Sequence, residues 1–246
     1  MTLPTLKWKP SPNFSSRHGA AVDLAVLHDC QGSYLGSITT FLGNNNGNPV
    51  SAHFVLKDDG SEVTQMVDLA DKAWHAVDLN PRSVGLEMAG YAERGYSDVE
   101  LDNAAKIMAY LCHTLGVPAR HARGGAGAGI ESHYGLGKAG GGHSDPSVEP
   151  DFMDKFVARV QAHMGDSVPA GWARNRLKRS RSPVRPAGPF RATRRPPCRF
   201  SKGARRSGRS LSSPGWAPAS SQRAQRNSVS VSFLRHSSNA WSIIPS

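Results

Sequence analysis

No run of 18 consecutive apolar residues occurs in the 246-residue sequence, which excludes a helical membrane span. Its first twenty residues also lack an apolar stretch of the signal-peptide kind. Pro4, Pro10 and Pro12 interrupt them, so the expectation is synthesis in the cytoplasm without a cleaved secretory signal. Cysteine is scarce: Cys30, Cys112 and Cys198 are unevenly spaced and form no C-x-x-C pair. That argues against a disulfide scaffold and a Cys-type zinc finger, and the three read as reduced thiols. Acidic residues nearly vanish after residue 165. Residues 166–246 hold only Asp166 against 17 Lys+Arg, a net charge of +16, whereas residues 1–165 carry 13 basic and 18 acidic residues, a net charge of −5. The basic character of the chain therefore belongs to its tail.

That tail has 17 Ser, nine Pro and 15 Arg. Ordering a backbone residue costs about 1–2 kcal/mol, and so little apolar surface cannot offset it, so residues 166–246 are expected to be disordered. Arg174-Asn175-Arg176-Leu177-Lys178-Arg179 and Arg205-Arg206 would attract polyanions: nucleic acid, anionic lipid or wall polymers. A solvated tail with no partner, or an out-of-frame read of GC-rich coding sequence, gives the same composition.

Residues 1–165 interleave strand and helix signals, which predicts an α/β class with a mixed central β-sheet flanked by helices. Val22 to Leu27 is a short apolar run suited to a buried strand, ending at His28. Tyr34 to Leu42 reads as a short helix, and Gly43 to Pro49 is a loop by composition. Ala52–Lys57 and Glu62–Val67 flank an Asp58-Asp59-Gly60 turn as a hairpin. Ser83 to Met88 reads as a strand. Asp98 to Leu115 carries apolar residues at helical spacing and stops at Gly116, and a last helix is expected from Pro150 to about His163.

Ten histidines are present, eight of them before residue 145. His28 lies where a buried strand gives way to polar residues. His133 and Asp145 bracket a loop in which five of residues 135–142 are glycine, so its flanks can fold back to one point. Two imidazoles, one carboxylate and a fourth position left for water make a ligand set of the catalytic-zinc kind. Each signal alone has a bland reading: a surface histidine, a flexible linker, a phosphate cradle. Nucleotide binding is disfavoured because the loop neither forms G-x-G-x-x-G after a strand nor ends in G-K-[ST]. In Ser83-Val84-Gly85-Leu86-Glu87-Met88, alternation puts Ser83, Gly85 and Glu87 on one face. A carboxylate there is costly to bury unless paired or used. The alternatives are an edge-strand Glu facing water, or an ion pair with Arg82 or Arg94.

Five blocks occur in order: Val26-Leu27-His28-Asp29, Ser51-Ala52-His53-Phe54, Ala73-Trp74-His75-Ala76, Ser83-Val84-Gly85-Leu86-Glu87, and His133 followed by Gly140-Gly141-Gly142-His143-Ser144-Asp145-Pro146. Together, over about residues 8–160, they resemble the zinc-dependent N-acetylmuramoyl-L-alanine amidases of the type-2 amidase family. Phage endolysins, autolysins, muropeptide-recycling amidases and peptidoglycan recognition proteins share this domain. The end of helical patterning and the change in composition place the boundary of a single catalytic domain, residues 1–165, near Gly165, and the resemblance implies Zn2+ held in it by His28, His133 and Asp145. It implies Glu87 as general base and His143, where many relatives carry Lys, as the protonated group stabilising the oxyanion. His143 is also an alternative third ligand. His53, Trp74 and His75 are the substrate-binding candidates: the two histidines match positions that are structural or line the groove, and Trp74 either faces the groove or belongs to the core. Ala52 stands where some relatives place a mechanistic Tyr.

The implied substrate is peptidoglycan, cut between N-acetylmuramic acid and L-alanine in endolysin-like wall lysis. A monomer is expected, with the basic tail touching anionic wall polymers or membranes and no specific nucleic-acid partner. A cytoplasmic recycling amidase, a non-catalytic peptidoglycan-binding module and a Cys hydrolase using Cys30 or Cys112 are the alternatives.

Overall fold

Six strands make one mixed sheet among the residues described by the computed structural model, 1–176. They are β1 (Thr5–Trp8), β3 (Leu24–Asp29), β4 (Phe54–Leu56), β5 (Glu62–Gln65), β7 (Ser83–Met88) and β8 (Gly129–Ser132), in the order β1-β5-β4-β7-β3-β8. All neighbours are parallel except the β4–β5 hairpin. Two short strands, β2 (Phe14–Ser16) and β6 (Asp71–Ala73), pair separately. The chain divides into two units, Met1–Gly188 and Pro189–Ser246. The second, with Cys198, lies outside the described residues.

Side-chain alternation gives the sheet two functions. Ala25 and Leu27 of β3 and Val84, Leu86 and Met88 of β7 point to one side, where α2 (Asp98–Leu115) and α3 (Phe152–His163) cover them. Each fully buried Leu, Ile or Met in this layer contributes about 1.5–3 kcal/mol by leaving water. The opposite face carries Leu24 and Val26 against Ala76 and Leu136, and Val55 against Tyr34, Ile38 and Phe41 of α1 (Tyr34–Leu42). His28 and Glu87 share this second face and line a groove that α1 borders through Ser37, Thr40 and Phe41.

The helix boundaries follow local chemistry. Ser97 Oγ accepts from the Glu100 N–H at 3.1 Å, and Gly116 ends α2 in the left-handed region at φ 77°, where a Cβ would be strained. Helix α1 and strand β7 occupy the spans their patterns predict, and α3 begins two residues later than expected.

The first unit continues past residue 165. Trp172 lies nearly parallel to Phe54, with centroids 6.0 Å apart, and edge-on to Tyr110 at 4.9 Å. The Gln65 side chain reads the backbone of Arg174 in both directions: its Nε2 donates to the Arg174 carbonyl at 2.9 Å and its Oε1 accepts from the Arg174 N–H at 2.7 Å. Arg176 pairs with Asp68 and Asp71. The expected boundary at residue 165 therefore moves to at least Arg176. Composition averaged over the tail concealed Trp172 and Ala173, which pack on the main core. The expected disorder of the remainder concerns residues outside those described.

Candidate active site

Three adjacent parallel strands deliver the central side chains. The β3–β7 register pairs His28 with Glu87. On the other side of β3, the register pairs Leu27 with Ser132 of β8, and the His133 N–H donates to the Leu27 carbonyl at 3.0 Å. Glu87, His28 and His133 therefore stand side by side at the carboxyl ends of their strands, where open parallel sheets hold their ligands. Strand β7 is central, so the edge-strand reading of Glu87 is excluded. Arg82 pairs instead with Asp23, and Arg94 lies over Tyr91.

Asp145 comes back along the glycine-rich loop. Its Oδ2 accepts from the Asp29 N–H at 3.1 Å, and its carbonyl accepts from the Tyr134 N–H at 2.7 Å. The Asp145–Pro146 peptide is cis. The Tyr96 hydroxyl reaches both Asp29 Oδ2, at 2.5 Å, and the Pro146 carbonyl, at 3.0 Å, and clamps this turn from outside the loop. Nothing local in the sequence marked Tyr96. Gly140 is required by space: a Cβ there would sit 2.6 Å from Leu136 Cβ.

One ligand-capable atom from each of His28, His133 and Asp145 lies within 4.8 Å of the other two. Nδ1 of His133 is 3.1 Å from Asp145 Oδ1, and Nδ1 of His28 is 3.7 Å from Asp145 Oδ2. His133 Nε2 is 2.8 Å from the Gly140 carbonyl, which can only accept. That contact fixes the proton on Nε2 and leaves the Nδ1 lone pair facing inward. Burial, then the neighbouring His133 and His75, lower the His28 pKa well below the ordinary histidine value, which favours the neutral form that ligates. Burial works against ionisation of Asp145, but the neighbouring His133 and His28 and the Asp29 N–H hold its carboxyl below the usual range. Two neutral imidazole nitrogens and a carboxylate fit a divalent metal of the zinc kind.

Glu87 is 8% exposed and lines a groove of about 600 Å³ beside these residues. Burial, then Asp145 and Asp29, raise its pKa well above the carboxylate range, the kind of perturbation found at functional sites. His143 also lines the groove. Its ring stacks on His133 with centroids 4.0 Å apart, its Nδ1 lies 3.7 Å from Asp145 Oδ1, and its side chain is 56% exposed. Asp145, not His143, completes the ligand-capable set. Burial and His133 lower the His143 pKa against the opposing pull of Asp145.

Trp74 lines the groove as expected, its indole N–H donated to Ser15 Oγ at 3.1 Å. His53 does not. It is fully buried, its Nδ1 accepts from the Gly85 N–H at 3.1 Å, and its Nε2 faces the Asp71 carbonyl at 3.1 Å. Burial and the adjacent Arg17 push its pKa down to about 3. His53 is thus a neutral clamp between strands rather than a substrate contact. His75 borders the groove, but both ring nitrogens are taken: Nδ1 by His28 Nε2 at 2.9 Å and Nε2 by Ser83 Oγ at 3.2 Å. Ala52 is fully buried with Phe41 and Val55 and offers the groove no polar group. Phe41, Asn48, Pro49 and Val50 form part of the wall. Sequence reasoning missed that role, although the Asn-rich loop composition marked the segment.

Cys30 and Cys112 are free thiols. Burial, then Glu87, raises the Cys30 pKa well above the usual value, and burial takes Cys112 to about 12. Neither is an activated nucleophile. A larger cleft, about 770 Å³, lies between β1 and residues 171–176 and is lined by no histidine.

An α/β domain with a buried His–His–Asp set and a buried glutamate beside an open groove is the layout of a hydrolase able to bind a divalent metal. Residues 18–148 match the family model of N-acetylmuramoyl-L-alanine amidase, and the chain belongs to that family. It is 32% identical over 124 residues to N-acetylmuramoyl-L-alanine amidase A of Achromobacter lyticus, an alignment spanning 49% of this chain and 68% of that protein. In fold it is similar to the Staphylococcus aureus hydrolase AmiA crystallised with its ligand, with TM-score 0.53, 19% identity, and coverage of 67% of this chain and 85% of that one. It is also similar to the endolysin amidase LysCS of Clostridium intestinale, with TM-score 0.50, 14% identity, and coverage of 65% and 97%. The family's reaction is hydrolysis of the amide between N-acetylmuramic acid and L-alanine in peptidoglycan, and the chain is an amidase of that kind.

Proposed function

We propose that this amidase is zinc-dependent, with His28, His133 and Asp145 as the metal ligands, and that it acts on the bacterial wall in the manner of an endolysin. The observation that carries the proposal is the convergence of three ligand-capable atoms within 4.8 Å, beside a buried Glu87 and at the wall of a groove. Zinc held there supplies Lewis acidity, polarising an amide carbonyl and bringing the pKa of water toward about 7.

The remaining work falls to side chains of this chain. Glu87, with its raised pKa, accepts a proton from the attacking water and passes one to the departing L-alanine amine, the two tasks of a general base and acid. His143 offers an N–H to the oxygen that gains negative charge, and losing such a donor costs about 10²–10³ in rate. Trp74 presents an aromatic face on the groove for a sugar or peptide. The net charge of +16 over residues 166–246 supports adhesion of the enzyme to anionic wall polymers.

Mass spectrometry of peptidoglycan digested with and without a chelator tests this reading. Stem peptides with free N-terminal L-alanine, absent when the chelator is present, are the expected products. New reducing sugar ends, or chelator-insensitive release, would overturn it.

A further inference from the structure

His75 stands outside the ligand-capable set, and both its ring nitrogens are engaged by protein partners. Its ring meets His28 edge-on, with centroids 4.9 Å apart and His28 Nε2 2.9 Å from His75 Nδ1. The other nitrogen, Nε2, is 3.2 Å from Ser83 Oγ. Asn80 Oδ1 accepts from the backbone N–H groups of both His75, at 2.9 Å, and Ala76, at 2.6 Å, which fixes the segment from which the ring projects. Gly85 provides the seat. A Cβ at that position would lie 2.8 Å from His75 Nδ1 and 2.9 Å from its Cγ, so any side chain on β7 there would push the ring away from His28. Ser83 and Gly85 share the strand face of Glu87, so one face of β7 supplies a hydrogen-bond partner, a flat seat and the proton-active carboxyl.

A neutral imidazole has one N–H and one lone pair. If His28 carried its proton on Nδ1, that N–H would point toward Asp145 and the nitrogen could not ligate. If it carries the proton on Nε2, the N–H needs an acceptor, and the atom within reach is His75 Nδ1. His75 is then protonated on Nε2 and donates to Ser83, whose hydroxyl can turn to accept. We propose that His75 is a positioning residue: it accepts the Nε2–H of His28, seated by Gly85 and backed by Ser83, and so holds His28 in the tautomer that presents Nδ1 to the metal. This inference rests on the proposed zinc site.

Zinc affinity of the full 246-residue chain, measured by competition with a chromogenic chelator, is the primary test. His75→Leu should weaken zinc binding about 10–100-fold, the usual effect of removing a partner that orients a ligand. His75→Asn places an amide oxygen where Nδ1 stood and should restore affinity to within a few-fold of the parent. Long-range proton–nitrogen NMR of the zinc-loaded parent should show His75 protonated on Nε2. Unchanged affinity in His75→Leu, no rescue by His75→Asn, or a His75 proton on Nδ1 would each overturn the inference. Should His75→Leu fail to fold, the Asn variant and the NMR signature of the parent decide. Absence of zinc binding by the parent chain would instead overturn the proposed function, so the two failures are distinguishable.

Discussion

His28 and Glu87 stand on strands paired on both sides, whereas Asp145 and His143 ride on a loop that must fold back across glycine-rich backbone. On the strand half, register alone sets the spacing: once β3 and β7 pair in parallel, His28 and Glu87 are neighbours. On the loop half, position is assembled piecewise from the Asp29 N–H, the Tyr96 hydroxyl and glycines that leave room for Leu136. The strand half should therefore tolerate no change of chemistry, while the loop half should be sensitive to backbone substitutions that leave the chemistry intact.

The largest effect is expected from Glu87→Gln, which keeps shape but removes the proton acceptor. Turnover of peptidoglycan should fall about 10²–10⁴-fold with zinc affinity unchanged, as seen by a dye-release assay beside a chelator titration. A variant that retained most activity would show that the proton work lies elsewhere. His143→Ala, on the loop half, should lose about 10²–10³ in turnover because a single oxyanion donor is removed. Near-wild-type rates there would confine catalysis to the strand half.

Gly140→Ala tests the loop backbone directly. Its Cβ meets Leu136, so the carbonyl that orients His133 must move, and forced packing of this kind costs about 1–3 kcal/mol. Both melting temperature and zinc affinity should drop. Loss of stability without loss of affinity would mean that the Gly140–His133 contact does not govern the metal site.

The smallest effect lies in α2, beneath both halves. Glu100 is buried, one of its carboxyl oxygens has no hydrogen-bond partner, and burial together with Asp58, Asp29 and Asp59 pushes its pKa up to about 8. A raised carboxyl pKa means that the folded state favours the protonated form. The associated stability is complete below the unfolded value of about 4.5 and is lost as pH rises through about 8. Glu100→Gln should therefore raise the melting temperature at about pH 8 and leave it nearly unchanged at about pH 4, narrowing the difference between the two conditions. Parallel melting curves for parent and variant over that range would sink the assignment.

What could be read from the sequence follows the same division. Alternation in Ser83–Met88 placed Glu87 opposite the core, and the register with β3 agrees. Helix α2 was legible from end to end because its apolar spacing and the glycine that stops it, Gly116, are local to the segment. Strands β1 and β8 were not foreseen, since four-residue segments gain identity only from partners far along the chain. His53 and His75 lay in recognisable blocks, yet their roles depend on Gly85 and Ser83, which approach them only in three dimensions. Trp172 was hidden by the Arg, Ser and Pro around it.

The two-way clasp between Gln65 and Arg174, with Trp172 beside Phe54, bears on how this enzyme should be shortened. A cut after residue 165 would strip the aromatic cover from Phe54 and Tyr110, so a test of the proposed wall adhesion would be confounded by a damaged catalytic body. Trimming after Arg176 removes most of the cationic segment and keeps the fastening that the body relies on.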